Sequence, residues 1–275
     1  MKTVLIKIVG VYLNLLSIFS SKYAAKKALN LFSRPRKGAI TKDQFTFLNT
    51  SVKEKLFYKD NTVMTYHWLG NKQTVLLAHG WESNAARWIL FINAIHKLDY
   101  SIIALDAPAH GMSGSKNFNA LLYAEFINVV VKKFNPNILI GHSVGGMATV
   151  FSYHKYQFTN IDKMILLGAP SELKDVFKRY VDMMQYNKSI EKQINNLVFE
   201  RFGKYPNYFS TAKFLKEATF KGLIIHDEND DIIPFEDALL IKNSFKNSTL
   251  ISTKELGHSL NHKSVITYIS EFIDN

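Results

Sequence analysis

The chain has 275 residues, of which 47% are hydrophobic, enough for one large α/β domain or two small ones. It contains no cysteine, so a disulfide framework and a thiolate metal site are both excluded. The net charge is +11, but neither a basic patch interleaved with aromatic residues nor a nucleic-acid-binding motif accompanies it. We therefore expect no nucleic-acid partner.

The first predicted element is an apolar helical segment over residues 4–19, interrupted by Lys7, Asn14 and Ser17. It falls short of the roughly 20 residues that a membrane-spanning helix needs. A strongly basic stretch follows over residues 22–37 and opposes export. Three interpretations stay open: a helix that packs on the domain or lies in the membrane interface, a membrane-spanning anchor, and an export signal. A membrane-spanning anchor and an interfacial helix both place the rest of the chain in the cytoplasm. We therefore expect a cytoplasmic protein, with peripheral contact to the inner face of a membrane through this segment if the helix lies in the interface.

A short basic segment with one proline and one glycine, residues 34–38, is typical of a linker. We therefore divide the chain into an N-terminal apolar and basic helical segment, residues 1–38, and a second domain, residues 39–275. Near the start of this domain, residues 45–48 and 63–69 partly alternate apolar and polar side chains. This alternation predicts two half-buried antiparallel strands.

From residue 75 onwards, short apolar runs alternate with segments of helical periodicity. Buried strands are predicted at residues 75–78, 102–105, 138–140, 164–167, 223–226 and 249–252. The intervening segments are long enough for parallel crossovers, so the predicted fold class is α/β, a mostly parallel central sheet with helices on both faces. A helical insertion over about residues 171–220 interrupts the alternation and is interpreted either as a lid or as a spacer. Sheets of this kind place their sites at the carboxyl ends of the strands.

The most informative stretch is residues 137–147, Asn-Ile-Leu-Ile-Gly-His-Ser-Val-Gly-Gly-Met. An apolar strand leads into Gly141, Ser143 and Gly145 at alternate positions, and helical periodicity follows. A strand, a tight turn and a helix in this order expose the serine oxygen, while the glycines allow the strand and helix to approach closely. Ser143 is therefore the candidate nucleophile. The first amides of a helix attract negative charge, so the Val144 N–H is predicted to donate to an oxyanion.

With these residues in place, the chain resembles the α/β-hydrolase fold serine hydrolases, a family that includes esterases and lipases, from about residue 45 to residue 273. Four stretches at predicted strand ends carry the resemblance, and they occur in the family's order. They are His-Gly-Trp at 79–81, Asp-Ala-Pro-Ala-His-Gly-Met-Ser at 106–113, the glycine-flanked serine at 141–146, and the acidic loop at 226–234 with Gly-His at 257–258. This combination is more specific than any one motif.

The resemblance implies a Ser-His-Asp triad, in which a histidine activates the serine and an acid orients the histidine. His258 lies in the loop after the last strand, as the family's base does, whereas His262 is interpreted as a surface residue. The acidic loop offers four carboxylates over residues 227–231. The family's pattern, His-Gly-x-x-Asp, aligns Asp230 with the acid and puts Asp227 where glycine is usual.

The resemblance also implies a second oxyanion donor, the backbone N–H of Trp81 in the first loop. Asp106 precedes the serine in the chain, so we interpret it as structural. Four histidines at strand ends could suggest a metal, but they occupy positions that the family fills without one: His79, His110, His142 and His226. We expect neither a metal nor a cofactor.

The expected function is a serine hydrolase that cleaves a carboxylic ester or thioester of a small-molecule acyl substrate through an acyl-enzyme intermediate. No cofactor is needed, because serine, histidine and water supply the chemistry. The same fold hosts many activities, so a peptidase or amidase stays an alternative. The third interpretation, a non-catalytic α/β-hydrolase-like binding protein, would be marked by a broken triad, and here all three positions are filled. No pattern indicates the oligomeric state.

Overall fold

Residues 2–275 are described by a computed structural model of the chain, and they form two compact units. The larger unit combines Pro35–Ser171 with Thr211–Asn275. The smaller unit combines the residues up to Arg34 with Glu172–Ser210. The N-terminal segment therefore groups with most of the helical insertion, which the sequence pattern did not predict.

The larger unit is built on one eight-stranded sheet. Its strands are β1 (Val52–Tyr58), β2 (Asn61–Trp68), β3 (Lys72–Ala78), β4 (Tyr100–Leu105), β5 (Ile138–His142), β6 (Lys163–Leu167), β7 (Lys221–Asp227) and β8 (Ser248–Thr253). Their order across the sheet is β1-β2-β4-β3-β5-β6-β7-β8. Strand β2 is antiparallel to both of its neighbours, and the remaining pairs are parallel. The predicted mostly parallel α/β sheet is confirmed.

Helices alternate with these strands along the chain. They are α1 (Lys2–Ser33), α2 (Lys42–Leu48), α3 (Ile89–Lys97), α4 (Ala120–Phe134), α5 (Val144–Tyr156), α6 (Leu173–Met184), α7 (Lys188–Phe202), α8 (Thr211–Phe214), α9 (Phe235–Ser244) and α10 (Lys263–Asp274). Short 3-10 turns occur at Ala85–Trp88 and Pro206–Tyr208. Helices α1, α6 and α7 belong to the smaller unit, and the others belong to the larger one.

The two faces of the sheet carry separate apolar cores, because successive side chains of a strand point to opposite faces. Leu77 of β3 packs in one core with Phe91 of α3 and Ile269 of α10. Its neighbour Leu76 packs in the other core with Phe126 of α4 and residues of α5 and α9. Strands buried on both sides are what a continuous apolar run such as residues 75–78 predicts.

The parallel register brings several strand ends to one edge of the sheet. Ala78, the last residue of β3, pairs with Gly141 of β5. On the other side of β5, His142 pairs with Leu167, the last residue of β6. Asp227, at the end of β7, pairs with Thr253 of β8. The loops that follow these strands therefore begin side by side.

The predicted strand at residues 45–48 is wrong, since these residues end helix α2. Thr41 caps this helix: its side chain accepts from the Gln44 N–H, and the Gln44 side chain bonds to the Thr41 N–H. This reciprocal capping box outweighs the weak alternation of the phenylalanines. The strand that pairs with β2 is instead β1, which the sequence analysis missed because three consecutive charged residues, 53–55, obscure its pattern.

In the smaller unit, α1 packs against α6 and α7 through small and apolar side chains. Gly10 lies so close to the Met184 carbonyl that a β-carbon at this position would overlap it. The backbone leaves the helical conformation at Ser20 (φ −156°, ψ 99°), which divides α1 into two halves. Val4–Ser33 is long and apolar enough to cross a bilayer by length and composition alone, a test that core helices and export signals also pass.

Substitution of Leu77 tests the position of β3 in the core. Leu77→Ala should lower the free energy of unfolding by about 2–5 kcal/mol in chemical denaturation, because the side chain is fully buried. The control Leu69→Ala, at a side chain that is 66% exposed, should change it by less than about 0.5 kcal/mol. Equal losses in the two variants would contradict this placement.

Candidate active site

Ser143 lies at a sharp turn between β5 and α5, as the motif predicts. Its φ is +53° and its ψ is −130°, a conformation that costs strain in any residue with a side chain. A β-carbon at Gly141 would overlap the Cα atom of Gly146, and one at Gly145 would overlap the carbonyl oxygen of His79. Glycine is therefore required at both positions by the close approach of the strand, the helix and the first loop.

Three side chains that are distant in the sequence meet at this turn. The Nε2 atom of His258 lies 2.9 Å from the Oγ atom of Ser143. The Nδ1 atom of the same imidazole lies 2.7 Å from Oδ2 of Asp230. A carboxylate only accepts, so Nδ1 carries the proton, and Nε2 accepts from the serine hydroxyl. This is the geometry and the tautomer that a histidine needs in order to take a proton from serine.

Both carboxylate oxygens of Asp230 are held by donors. Oδ1 accepts from the backbone N–H groups of Ile232 and Ile233, each at 2.9 Å. Oδ2 faces His258 and also lies 3.4 Å from Nε2 of His226. Burial alone would raise the pKa of Asp230, but the hydrogen bonds from His226, His258 and the Ile233 N–H hold it below its ordinary value. The side chain is thus a fixed carboxylate at neutral pH.

Asp227 occupies the position where the family usually has glycine, and it braces two loops. Its Oδ1 accepts from the Asn229 N–H at 3.0 Å, within the acid loop. Its Oδ2 accepts from the Thr253 hydroxyl at 2.8 Å and from the Leu256 N–H at 2.9 Å. Both donors lie just before His258, in the segment here called the histidine loop. Burial acts to raise the pKa of Asp227, but these hydrogen bonds lower it overall. Sequence reasoning missed this bracing role, since only the departure from glycine marked the residue.

His142 and His226 tie the same loops to the sheet. The Nε2–H of His142 donates to the carbonyl oxygen of His258 at 2.8 Å, and the two imidazoles lie 4.9 Å apart between ring centroids. The Nε2–H of His226 donates to the Ile233 carbonyl at 2.8 Å. Burial lowers the pKa of His142 well below its ordinary value, so this imidazole is neutral. The sequence placed both histidines at strand ends but gave no sign of what they bind.

His79 and His110 also act as ties between loops, with both ring nitrogens engaged. His79 donates from Nδ1 to the Gly80 carbonyl and accepts the Ala107 N–H at Nε2. His110 donates from Nδ1 to the Pro108 carbonyl and accepts a backbone N–H at Nε2. Burial lowers the pKa of His79 to about 3. Neither ring keeps a free lone pair for a metal, and no group of three possible ligands occurs among residues 2–275.

Asp106 anchors the loop that follows β4. Its carboxylate accepts from the Tyr66 hydroxyl at 2.8 Å and from the N–H groups of Ala85 at 2.8 Å and Met112 at 2.9 Å. Burial raises the pKa of Asp106 to about 6, against the lowering effect of these donors. The Asp106 carboxylate therefore holds its own loop in place, whereas the Asp230 carboxylate contacts the imidazole of His258.

In the acidic loop, the neighbouring Asp231 is exposed to solvent.

The two predicted oxyanion donors belong to backbone segments that lie next to the serine. Val144 is the first residue of α5, so its N–H has no acceptor within the helix. A β-carbon on Gly80 would lie 3.0 Å from Cβ of Ser143, so the backbone just before Trp81 passes beside the serine. The Trp81 ring packs on Phe118 with centroids 5.0 Å apart. The donor roles of Trp81 and Val144 stay predictions.

The sheet order and the serine turn are those of the α/β-hydrolase fold. The family model described as alpha/beta hydrolase fold matches residues 73–202. The chain is similar to this family over that range and shares its fold. The matched range includes Ser143 and ends before Asp230 and His258, so the positions of these two residues rest on the geometry given above.

Two curated relatives and one solved structure illustrate the similarity. The chain is 21% identical over 232 residues to the AB hydrolase superfamily protein YisY of Bacillus subtilis. This alignment covers 69% of the present chain and 86% of YisY. It is 23% identical over 265 residues to a Mycoplasma genitalium protein with the provisional name esterase/lipase 2, covering 82% and 97%. The esterase EaEST of Exiguobacterium antarcticum superposes with a TM-score of 0.63 at 18% identity, over 82% of this chain and all of that one (100%).

A substitution at Gly141 tests the packing of the serine turn. Gly141→Ala should lower the free energy of unfolding by about 3 kcal/mol, because the new methyl group meets backbone that cannot move aside. The control Gly203→Ala places its methyl group in open space at a positive φ of 71° and should cost only about 1 kcal/mol. If chemical denaturation shows similar small losses for both variants, the close approach of strand and helix is not required.

Proposed function

We propose that the protein is a serine hydrolase that cleaves a carboxylic ester or thioester through an acyl-enzyme intermediate. The observation that carries the proposal is the unbroken hydrogen-bonded chain from the Ser143 hydroxyl through His258 to Asp230, with contacts of 2.9 and 2.7 Å. A serine is a weak nucleophile unless a base removes its proton as it attacks. A non-catalytic binding protein has no need for a strained serine, a fixed tautomer and an oriented carboxylate together.

The proposed reaction has two halves. In the first, Ser143 Oγ attacks the acyl carbonyl carbon while its proton passes to Nε2 of His258, and the imidazolium then protonates the leaving alcohol or thiol. In the second, His258 activates a water molecule that hydrolyses the acyl-serine. Asp230 holds the Nδ1–H and stabilises the imidazolium in both halves, without taking the proton itself.

The negative oxygen that forms on the substrate needs donors placed in advance. We assign this role to the backbone N–H groups of Val144 and Trp81. A backbone donor of this kind carries no entropy cost when the charge develops, and loss of one typically costs about 3 kcal/mol of barrier. These groups, the triad and water complete the chemistry without a metal or another cofactor.

The choice of an ester over an amide rests on the relatives. A Mycoplasma genitalium relative and a structural neighbour bear esterase names, whereas the triad itself would serve a peptidase or amidase equally well. A panel of p-nitrophenyl esters with acyl chains of increasing length, compared with aminoacyl amides, separates these alternatives. Turnover of the amides without turnover of the esters would replace the esterase assignment with an amidase.

We further propose that the enzyme is cytoplasmic and contacts a membrane surface through its N-terminal segment. The apolar part of α1 is followed by exposed basic side chains at Lys22, Lys26 and Lys27. Basic residues next to an apolar helix favour the cytoplasmic side of a membrane. The active site would then act on small acyl substrates in the cytoplasm or on substrates that leave the inner face of the membrane.

Ser143→Ala tests the nucleophile. The wild-type protein should react covalently with a fluorophosphonate probe, and Ser143→Ala should not react, because the probe bonds to an activated serine oxygen. Intact-protein mass spectrometry measures the adduct. The control Ser252→Ala, at an exposed serine on β8, should react like the wild type. Labelling that persists in Ser143→Ala would show that another residue is the nucleophile.

Asp230→Asn tests the orienting acid. The amide presents an N–H₂ donor or a weaker acceptor to His258, so kcat should fall by about 10⁴-fold while the fold is retained. The control is Asp231→Asn, one residue away and exposed, which should keep nearly full activity on a p-nitrophenyl ester. Comparable activity of the two variants would remove Asp230 from the triad.

A further inference from the structure

The first half of α1 presents a continuous apolar surface, here called the α1 stripe. Its side chains are each at least 58% exposed. They are Val4, Leu5, Ile8, Val11, Tyr12, Leu15, Ile18 and Phe19. At 3.6 residues per turn, these positions fall within one arc of about 140° on the helix surface. A soluble protein rarely leaves so many contiguous apolar side chains in contact with water.

The opposite side of the same half-helix is bound to the α6–α7 hairpin. Leu13 and Ser17 are buried there, and the backbone at Gly10 lies against Met184. The residues that interrupt the apolar run in the sequence are used for this attachment. Asn14 donates to the Gln185 carbonyl at 2.8 Å and accepts the Asn187 N–H at 2.9 Å.

A third hydrogen bond completes the attachment, since Nδ2 of Asn187 donates to the Ser17 hydroxyl at 2.8 Å. Asn187 is itself the N-cap of α7, and its Oδ1 accepts the Ile190 N–H. The polar side chains of the segment therefore all face the hairpin except Lys7, which is exposed. The polar face of the segment is thus hydrogen-bonded to the α6–α7 hairpin, and its apolar face is exposed.

The surroundings of the stripe are strongly basic. Residues 1–34 contain six lysines and arginines and no acidic residue. Lys7, Lys22, Lys26 and Lys27 are all exposed on α1, and Lys22 pairs with Glu200 of α7. An apolar stripe with cations beside it is complementary to the surface of an anionic lipid bilayer. A second copy of the chain on the same stripe would instead bring two basic segments together.

We propose that the α1 stripe lies in the headgroup and upper acyl region of an anionic bilayer, with the helix parallel to the membrane plane. Two observations favour this orientation over a spanning one. Residues 2–19 extend about 27 Å before the backbone break at Ser20, less than the roughly 30 Å of the hydrocarbon layer. A spanning helix would also have to break the hydrogen bonds of Asn14 and Ser17 with the hairpin. The inference specifies the membrane contact proposed above and does not depend on ester hydrolysis.

Vesicle co-sedimentation of the full chain tests the stripe. Wild-type protein should bind vesicles of phosphatidylcholine mixed with phosphatidylglycerol. The triple variant Ile8→Gln, Leu15→Gln, Phe19→Gln should bind at least about tenfold more weakly, since three apolar contacts are lost. The matched control replaces three similarly exposed apolar residues of the larger unit, Val52→Gln, Phe57→Gln and Leu69→Gln, and should bind like the wild type.

A second variant tests the charge. Lys26→Gln with Lys27→Gln should weaken binding to the mixed vesicles by about tenfold at low salt and leave the weak binding to pure phosphatidylcholine unchanged. Turnover of a soluble p-nitrophenyl ester, measured on every variant, should stay at the wild-type level. If the wild-type protein does not turn over the ester, the proposed hydrolase activity is contradicted, but the vesicle-binding result still tests the stripe.

Four outcomes would overturn the inference. The first is equal vesicle binding by the wild type and the stripe variant, and the second is no binding of the wild type to the mixed vesicles. The third is vesicle-bound protein that resists extraction with alkaline carbonate, which would indicate a spanning helix. The fourth is a lipid-free dimer in sedimentation velocity that the stripe variant dissociates. It would assign the stripe to contact between copies of the chain.

Discussion

The alignment of parallel strand ends is the constraint on which the site depends. The Ser143 N–H donates to the Leu167 carbonyl at 2.8 Å, and the Gly168 N–H donates to the Ile225 carbonyl at 3.0 Å. Each bond continues the ladder between two strands by one step beyond their paired residues, and a similar bond joins the ends of β7 and β8. Because these loops leave the sheet at the same level, side chains 115 positions apart in the chain come within hydrogen-bond distance.

Neutral imidazoles hold the loops once they have left the sheet. His79, His110 and His142 each donate one ring N–H to a backbone carbonyl, and burial lowers the pKa of each of them. Protonation would place a charge in a dry setting and, in His79 and His110, remove the acceptor of a backbone N–H. These histidines therefore oppose folding as the pH falls below about 6.5, where an unfolded chain takes up the protons. The imidazole of His258 differs, since it is the one whose ring nitrogens face a hydroxyl and a carboxylate.

The sequence was sufficient for the fold class and for the residues that meet at the site. Continuous apolar runs predicted buried parallel strands, and the glycine-flanked serine predicted a strand–turn–helix whose geometry the glycines make necessary. The errors occurred where two local signals competed. At residues 45–48 a capping box outweighed an alternating pattern, and in β1 the charged residues of an edge strand concealed it.

Other features had no local signal at all. The bracing by Asp227 and the tether from His142 to the carbonyl of His258 join residues that are 29 and 116 positions apart. The grouping of the N-terminal segment with the helical insertion depends on hydrogen bonds from Asn14 to residues more than 170 positions away. Such contacts follow from the arrangement of whole elements, which propensity and periodicity do not determine.

The shared carboxylate of Asp227 has a consequence for both loops of the site. It binds the Asn229 amide in the acid loop and the Leu256 amide in the histidine loop. The two loops therefore share one side chain as a common anchor, although each is held by a different oxygen atom of it. Loss of this single carboxylate would remove support from the loops of Asp230 and His258 at the same time.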